Sequence, residues 1–383
     1  MSEDRAEPLM LTPGPVSISR RVKEKMLQDL ASGGGQMTEN LNFSRQYLVE
    51  LCNGQGGWTA VPMQGSGTFA TEGLLGTLVP HDGKVLIHTN GVYGDRLVDI
   101  CRSINLPFKS FRTAPYAPPT AAEFEAEIAA DPAITHVIMV HCETSTGVLN
   151  RIDEIAAVCR KHAKSFMVDA IASFGAFEID VKKHSIDAVI ISPNKCLQGP
   201  PGLSWVVVRK STLEESKGNC HSITLDLYDQ LQYLDRTGAF RFTPPTHVLS
   251  AFAEALREHQ EEGGLEARQE RYRRSWRRMV DGMRQMGFQT LLPDDVASPI
   301  VATFHDPHDP NYSFQKLYDG MKARGFIIFP GRLAAANTFR IACIGVVDEH
   351  DIGRAMEALN EVVAEMGLQT FGRVDIEPEK SAA

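Results

Sequence analysis

The sequence predicts an α/β protein: a large domain built on a mostly parallel sheet between helices, followed by a smaller α+β domain. Three observations carry that prediction. First, between about Val22 and Pro245, short apolar runs rich in β-branched residues alternate with helical stretches. The runs are Lys84-Val85-Leu86-Ile87-His88, Thr135 to His141, Phe166-Met167-Val168 and Ala188-Val189-Ile190-Ile191. Strands covered on both faces read as continuous apolar runs, and alternation with helices makes neighbouring strands parallel. Second, the pattern changes after Thr246-His247 to a long helical region, roughly Val248 to Met286. Strand-like Ile300 to Phe304 and Phe326 to Phe329 follow, then a closing helix from about Asp348 to Met366. Third, 383 residues exceed what one core usually holds, roughly 250–300 residues. The expected organisation is an N-terminal segment 1–20, a large domain 21–247, a connecting helix with a small C-terminal domain 248–372, and a polar, flexible tail 373–383.

Composition narrows the class. Hydrophobic content of 43% and charged content of 23% are those of an ordinary globular protein. A net charge of −9 gives no overall attraction to nucleic acid or to anionic membrane, so any anion site must be local. The arginines from Arg268 to Arg278 are interrupted by Glu270 and read as the solvated face of a helix. Seven cysteines lie at 52, 101, 142, 159, 196, 220 and 343, an odd number without metal-ligand spacing, which reads as reduced thiols in a cytoplasmic protein. Cys196 has no charged base beside it in sequence and reads as a packing residue. Met1 to Pro8 lacks the apolar core of a signal peptide, and no run reaches the length of a membrane span.

The candidate chemistry lies just past strand ends, where ligands gather in such sheets. Asp169 closes Ser165-Phe166-Met167-Val168-Asp169, and Lys195 follows the next apolar run in Ser192-Pro193-Asn194-Lys195-Cys196. A primary amine and a carboxylate at two strand ends suit pyridoxal phosphate. The cofactor needs an amine to hold its aldehyde as a Schiff base and an anion facing its ring nitrogen to keep the ring protonated. Once displaced by a substrate amine, the lysine can move protons on the substrate carbon.

Gln64-Gly65-Ser66-Gly67-Thr68 precedes a helix through Leu74, Leu75 and Leu78. Glycines turn the backbone tightly, and amides at a helix start bind phosphate with help from hydroxyls; Ser66, Gly67 and Thr68 are the candidate phosphate cradle. The segment lacks both the lysine of a P-loop and the spacing of a dinucleotide fingerprint, which argues against ATP and NAD. Tyr93, in Asn90-Gly91-Val92-Tyr93-Gly94, follows a strand and can stack on a pyridine ring. His141 to Gly147 offers hydroxyls, Thr144 among them, to the cofactor's phenolic oxygen and to substrate. Arg340, between apolar residues in the small domain, has the planar fork that clamps a carboxylate or phosphonate. Thr243, in the proline-fixed loop Arg241-Phe242-Thr243-Pro244-Pro245, can present a hydroxyl to phosphate. His221 and His247 receive no role.

Taken together, these segments resemble the class V aminotransferases of fold type I. Leu11-Thr12-Pro13-Gly14-Pro15, Gly65-Ser66-Gly67-Thr68, Glu143 to Gly147, Val168-Asp169-Ala170, Asn194-Lys195-Cys196, Phe242 to His247 and Phe339-Arg340-Ile341 stand in that family's order through nearly the whole chain. The resemblance implies a seven-stranded large-domain sheet, pyridoxal 5'-phosphate bound to Lys195, Asp169 against the ring nitrogen, and Ser66, Gly67 and Thr68 at the phosphate. It further implies Tyr93 on the ring, Thr144 at the phenolic oxygen, Asn194 near the phosphate, and Arg340 with Pro13 and Gly14 at the substrate. Thr243 would reach the phosphate of a neighbouring subunit, so the implied assembly is a homodimer with shared active sites. No metal, nucleic acid or membrane is implied.

Within the class, His141 to Thr144, Asn194 to Gly199 and Leu225 to Tyr228 are most similar to members that pass the amine of an aminophosphonate to a keto acid. The implied reaction takes 2-aminoethylphosphonate and pyruvate to phosphonoacetaldehyde and L-alanine. One segment departs from that pattern. Ser32-Gly33-Gly34-Gly35-Gln36 puts three glycines where the relatives carry larger side chains near the substrate entrance. One other activity of similar proteins therefore stays open, an ammonia-lyase acting on 1-hydroxy-2-aminoethylphosphonate; transamination of serine or alanine with glyoxylate is a more distant alternative, against which the Cys142 and Cys196 contexts and Leu225 to Tyr228 lean.

Overall fold

The computed structural model describes residues 7–113, 116–331 and 337–371; the tail expected at 373–383 lies outside them. The chain forms two compact units, a larger one of Ile18–Glu143 with Leu149–Arg268, and a smaller one of Met1–Ser17, Thr144–Val148 and Gln269–Ala383.

The larger unit holds a seven-stranded sheet. Its strands are β1 (Trp58–Gln64), β2 (Lys84–Thr89), β3 (Phe108–Arg112), β4 (Ile134–Val140), β5 (Ser165–Asp169), β6 (Ala188–Ile191) and β7 (Leu203–Arg209), in spatial order β1-β7-β6-β5-β4-β2-β3. All neighbours are parallel except β7, which runs against both β1 and β6. The pleat explains the unbroken apolar runs. Phe166 and Val168 of β5 join one hydrophobic cluster while Met167 joins the other, and Val189 and Ile191 separate from Ala188 and Ile190 in the same way. Both faces are therefore dry, as helices on both sides of the sheet require. Helices Gly67–Leu78 and Val92–Ser103 cover one face; Gly35–Glu50, Ile152–Lys161 and Thr246–Glu262 cover the other.

In the smaller unit, β8 (Val301–His305), β9 (Phe329–Pro330) and β10 (Thr338–Ala342) form an antiparallel sheet in the order β8-β10-β9. Its core joins Phe288, Phe304 and Phe339 to Leu317 and Met321 of helix Phe314–Ala323 and Leu359 of helix Glu349–Met366. The N-terminal residues are tied into this unit: Leu9–Met10 pairs in parallel with Phe326–Ile327, and Ala342 N donates to Leu11 O at 3.0 Å.

Two features differ from what the sequence suggests. The single helix expected over 248–286 is two helices, Thr246–Glu262 and Gly264–Gln285. Gly263 and Gly264 adopt φ of +113° and +74°, a conformation that closes a helix and that β-carbons oppose; the apolar periodicity continues across the break and hides it. The units accordingly divide after Arg268 rather than after residue 247, because Leu249, Phe252 and Leu256 pack into the larger core. The arginines 268–278 are also not all solvated. Arg268 is 1% exposed, pairs with Glu262 at 2.6 Å and donates to the Cys196 carbonyl at 2.5 Å, while Arg271 donates to the carbonyls of Gly345 and Val347.

Gly264→Ala should lower stability by about 1 kcal/mol through its left-handed backbone. The expected drop in thermal midpoint is roughly 2–4 °C by calorimetry; no change would mean that the break does not depend on glycine.

Candidate active site

The sheet places its chemistry at the carboxyl ends of β1, β2, β5 and β6. Asp169 is the last residue of β5, a strand paired in parallel on both sides. It is 6% exposed, and its Oδ1 accepts from Ile171 N at 3.0 Å. Burial pushes its pKa up to about 6; the Ile171 amide works against this, the nearby Glu143 carboxylate adds to it, and the charges of Arg96 and Lys195 oppose it. A carboxyl in this position gains from any cation brought to it.

Lys195 follows β6 in a tight turn. Gly199 N donates to Pro193 O at 2.8 Å and Gln198 N to Lys195 O at 3.0 Å. Gln198 takes a left-handed φ of +57°, a conformation that a side chain normally resists. Ser192 Oγ donates to Asn194 Oδ1 at 2.6 Å, tying together residues three and one positions before the lysine. Lys195 itself is buried, and Cys196 is a fully buried neighbour whose thiol donates to Ala172 O at 3.1 Å.

After β1 the chain turns through Gly65, at φ +110°, into helix Gly67–Leu78. Ser66 is the N-cap residue, but its side chain makes no capping bond. The first amides of a helix lack internal acceptors, and this serine leaves them to another partner. At Gly67 a β-carbon would lie 2.4 Å from Ile171 Cδ1, so a larger residue there would displace the Ile171 side chain.

Tyr93 opens helix Val92–Ser103 after β2. That helix begins at Gly91 with no side-chain cap of its own. Glu143 supplies one, accepting from Tyr93 N at 3.0 Å and Gly94 N at 3.2 Å from a fully buried position. A carboxylate at a helix start is stabilising, and it fixes where the Tyr93 ring is held.

Ser66, Gly67, Thr68, Tyr93, Asp169, Asn194 and Lys195 thus line one cleft. Arg96, which the sequence reading passed over, lines it too. Its signal was available: a residue three after Tyr93 shares the tyrosine's helix face. Glu143 was also missed, because its role depends on a contact across about fifty residues. Thr243 is exposed and is not among the residues lining this cleft. Thr144, Arg340, Pro13 and Gly14 belong to the smaller unit, where Arg340 Nη1 donates to Thr144 O at 2.7 Å and the guanidinium lies 4.7 Å from the Phe329 ring centre.

The donor set of the cleft has what pyridoxal phosphate needs: an amine, a buried carboxyl that seeks a cation, a helix start with free capping capacity, and an aromatic ring. The family model for class V aminotransferases matches residues 63–320. The chain is 46% identical over 366 residues to a 2-aminoethylphosphonate–pyruvate transaminase of Pseudomonas aeruginosa, a match covering 96% of this chain and 99% of that one. The chain belongs to the class V aminotransferases. It is also 44% identical to 2-aminoethylphosphonate–pyruvate transaminase 1 of Cupriavidus pinatubonensis, over 96% of this chain and 98% of the relative. Among solved structures, the ureidoglycine–glyoxylate aminotransferase of Bacillus subtilis superposes with a TM-score of 0.84 at 25% identity, covering 99% of this chain and 97% of that one. Class V aminotransferases in general depend on pyridoxal phosphate and move an amino group between an amine and a keto acid.

In this class V chain, the raised Asp169 pKa makes a stability prediction for the cofactor-free protein. Folded Asp169 binds its proton more tightly than the unfolded residue, so its contribution is full below the ordinary value of 3.8 and is lost as pH rises through about 6. The loss is roughly 3 kcal/mol at pH 8. Asp169→Asn should therefore raise the thermal midpoint of cofactor-free protein at pH 8, with the gain shrinking as pH falls from 6 towards 4. A variant less stable than wild type at pH 8 would contradict the buried charge.

Proposed function

We propose that this protein is a pyridoxal-phosphate-dependent transaminase that takes 2-aminoethylphosphonate and pyruvate to phosphonoacetaldehyde and L-alanine. The observation that carries the reading is the joint one: Lys195 and Asp169 share a cleft built as this chemistry requires, in a chain 46% identical over nearly its full length to transaminases of that name.

Pyridoxal phosphate, bound in the cleft, supplies the electron sink that makes the carbon beside the amine acidic. Every other duty falls to side chains. Lys195 holds the cofactor through its amine and, once exchanged for substrate, takes and returns the proton at the substrate carbon. Asp169 keeps the ring nitrogen protonated, and that positive charge relieves the carboxylate's own burial. Ser66, Gly67 and Thr68 would hold the phosphate with Asn194 close by, and Tyr93 would lie on the ring. Thr144 bonds the phenolic oxygen. Arg340 binds the anionic end of the substrate, phosphonate in one half-reaction and carboxylate in the other, with Pro13 and Gly14 beside it.

Thr243 reaches the phosphate of a second copy of the chain, which makes the working protein a homodimer. Support comes from its exposure outside its own cleft and from the exposed apolar side chains Phe69, Val92, Ile223 and Phe242 of the same unit, a group that association would cover. Among the described residues no helix is long and apolar enough to cross a membrane.

The glycine segment bears on substrate choice. A β-carbon on Gly33, Gly34 or Gly35 would meet nothing within 4 Å, so these positions offer open space rather than contacts.

Product analysis decides the reaction. Alanine and phosphonoacetaldehyde should form from 2-aminoethylphosphonate only when pyruvate is present; ammonia released from the 1-hydroxylated analogue without an acceptor would make the protein a lyase instead. Lys195→Ala should abolish turnover with an unchanged circular dichroism spectrum, and residual full activity would refute the assignment. Arg340→Lys replaces a planar fork with a point charge and should raise KM about tenfold; unaltered kinetics would remove Arg340 from the substrate.

A further inference from the structure

Arg96 carries a charge that the proposed reaction leaves without a role. It stands one helical turn after Tyr93 on helix Val92–Ser103 and lines the same cleft. Its guanidinium carbon lies 5.0 Å from the Tyr93 ring centre, and Nη1 is 3.5 Å from Thr68 Oγ1. The arginine therefore spans from the ring-stacking residue to the candidate phosphate cradle. The adjacent carboxylate cannot neutralise it, because Asp95 is bonded to Arg112. Among the described residues, no ion pair involves Arg96, although other arginines of the unit are paired, as in Arg102–Asp99 at 3.0 Å and Arg45–Asp235 at 2.9 Å.

Charge accounting makes this position informative. A phosphate ester near neutral pH carries close to two negative charges, while a helix start offers only about half of one positive charge. Arg96 and Lys195 are the cations lining the cleft, and Lys195 is committed to the aldehyde. Serine and threonine hydroxyls donate hydrogen bonds but bring no charge. Without Arg96 the cradle would hold a dianion with no full positive charge in its lining.

We infer that Arg96 is a further cofactor-binding residue, whose guanidinium pairs with the phosphate of pyridoxal phosphate beside Thr68. The inference rests on the proposed use of that cofactor. The lean of the guanidinium on Tyr93 favours such pairing, since stacking on a ring face holds an arginine in place without consuming its donors. The same chemistry, a phosphoryl dianion, could also come from a substrate phosphonate, and the test separates the two sources.

The full-length protein, stripped of cofactor, is titrated with pyridoxal phosphate and separately with pyridoxal, which lacks the phosphate, following tryptophan fluorescence and absorbance. Arg96→Gln should weaken pyridoxal phosphate binding roughly ten- to a hundredfold, the size of a lost charge-assisted bond, and leave pyridoxal binding unchanged; Arg96→Lys should recover part of the loss. Equal weakening of both vitamers would reduce Arg96 to a support for Tyr93 and overturn the inference. So would unchanged pyridoxal phosphate affinity, whether KM for 2-aminoethylphosphonate stays constant or rises; a rise would reassign the charge to substrate. A wild-type protein that binds neither vitamer would defeat the underlying cofactor reading, a result separate from either of these. Cooperative unfolding and wild-type circular dichroism spectra of the cofactor-free variants show that the side chain and not the fold has been tested.

Discussion

The burial of Asp169 is the constraint around which the larger unit is organised. A carboxylate at the end of a strand with parallel neighbours on both sides has little access to water, and its single amide donor from Ile171 does not offset that isolation. A buried anion is tolerable only when a cation is supplied. The protein has Lys195 and Arg96 in the same cleft, and a protonated pyridine ring would complete the set. The carboxylate costs stability in the empty fold and is retained because it prepares the place for a ligand.

Around that point the architecture divides the work between rigid and turning segments. Strands β5 and β6 bring Asp169 and the Lys195 turn to the same side of the sheet because they are parallel neighbours. The left-handed turn at Gln198, the buried Cys196 and the Arg268 bond to the Cys196 carbonyl then hold the lysine's backbone. The phosphate side is built differently, from a helix start whose serine does not cap it and whose Gly67 leaves no space beside Ile171. One wall fixes a side chain, and the other exposes backbone.

Much of this was legible in the sequence, and the failures have identifiable causes. The apolar runs gave the strands because both sheet faces are covered. Lys195, Asp169 and Ser66 to Thr68 could be grouped from the sequence because each lies at or within a few residues of a strand's carboxyl end, and they do line one cleft. Glu143 was read as part of a hydroxyl-rich loop, since nothing near it in sequence reveals that it ends against Tyr93 and Gly94. Arg268 looked like one more arginine on a solvated helix, yet its burial depends on Glu262 and on a carbonyl from a distant segment. The break at Gly263 and Gly264 was present in the letters but was masked by helical periodicity on either side. Residue type and local order reveal chemistry at strand ends; they do not reveal polar contacts between segments far apart in the chain.

The cap that Glu143 places on helix Val92–Ser103 has a further consequence. This helix carries both Tyr93 and Arg96, but its first turn is completed by a side chain that arrives only after β3, a further helix and β4 have been laid down. The wall of the cleft is therefore not a self-sufficient local structure. Its order is inherited from the finished sheet, so the aromatic and cationic side of the pocket forms and melts with the domain as one cooperative block rather than as an independently mobile flap.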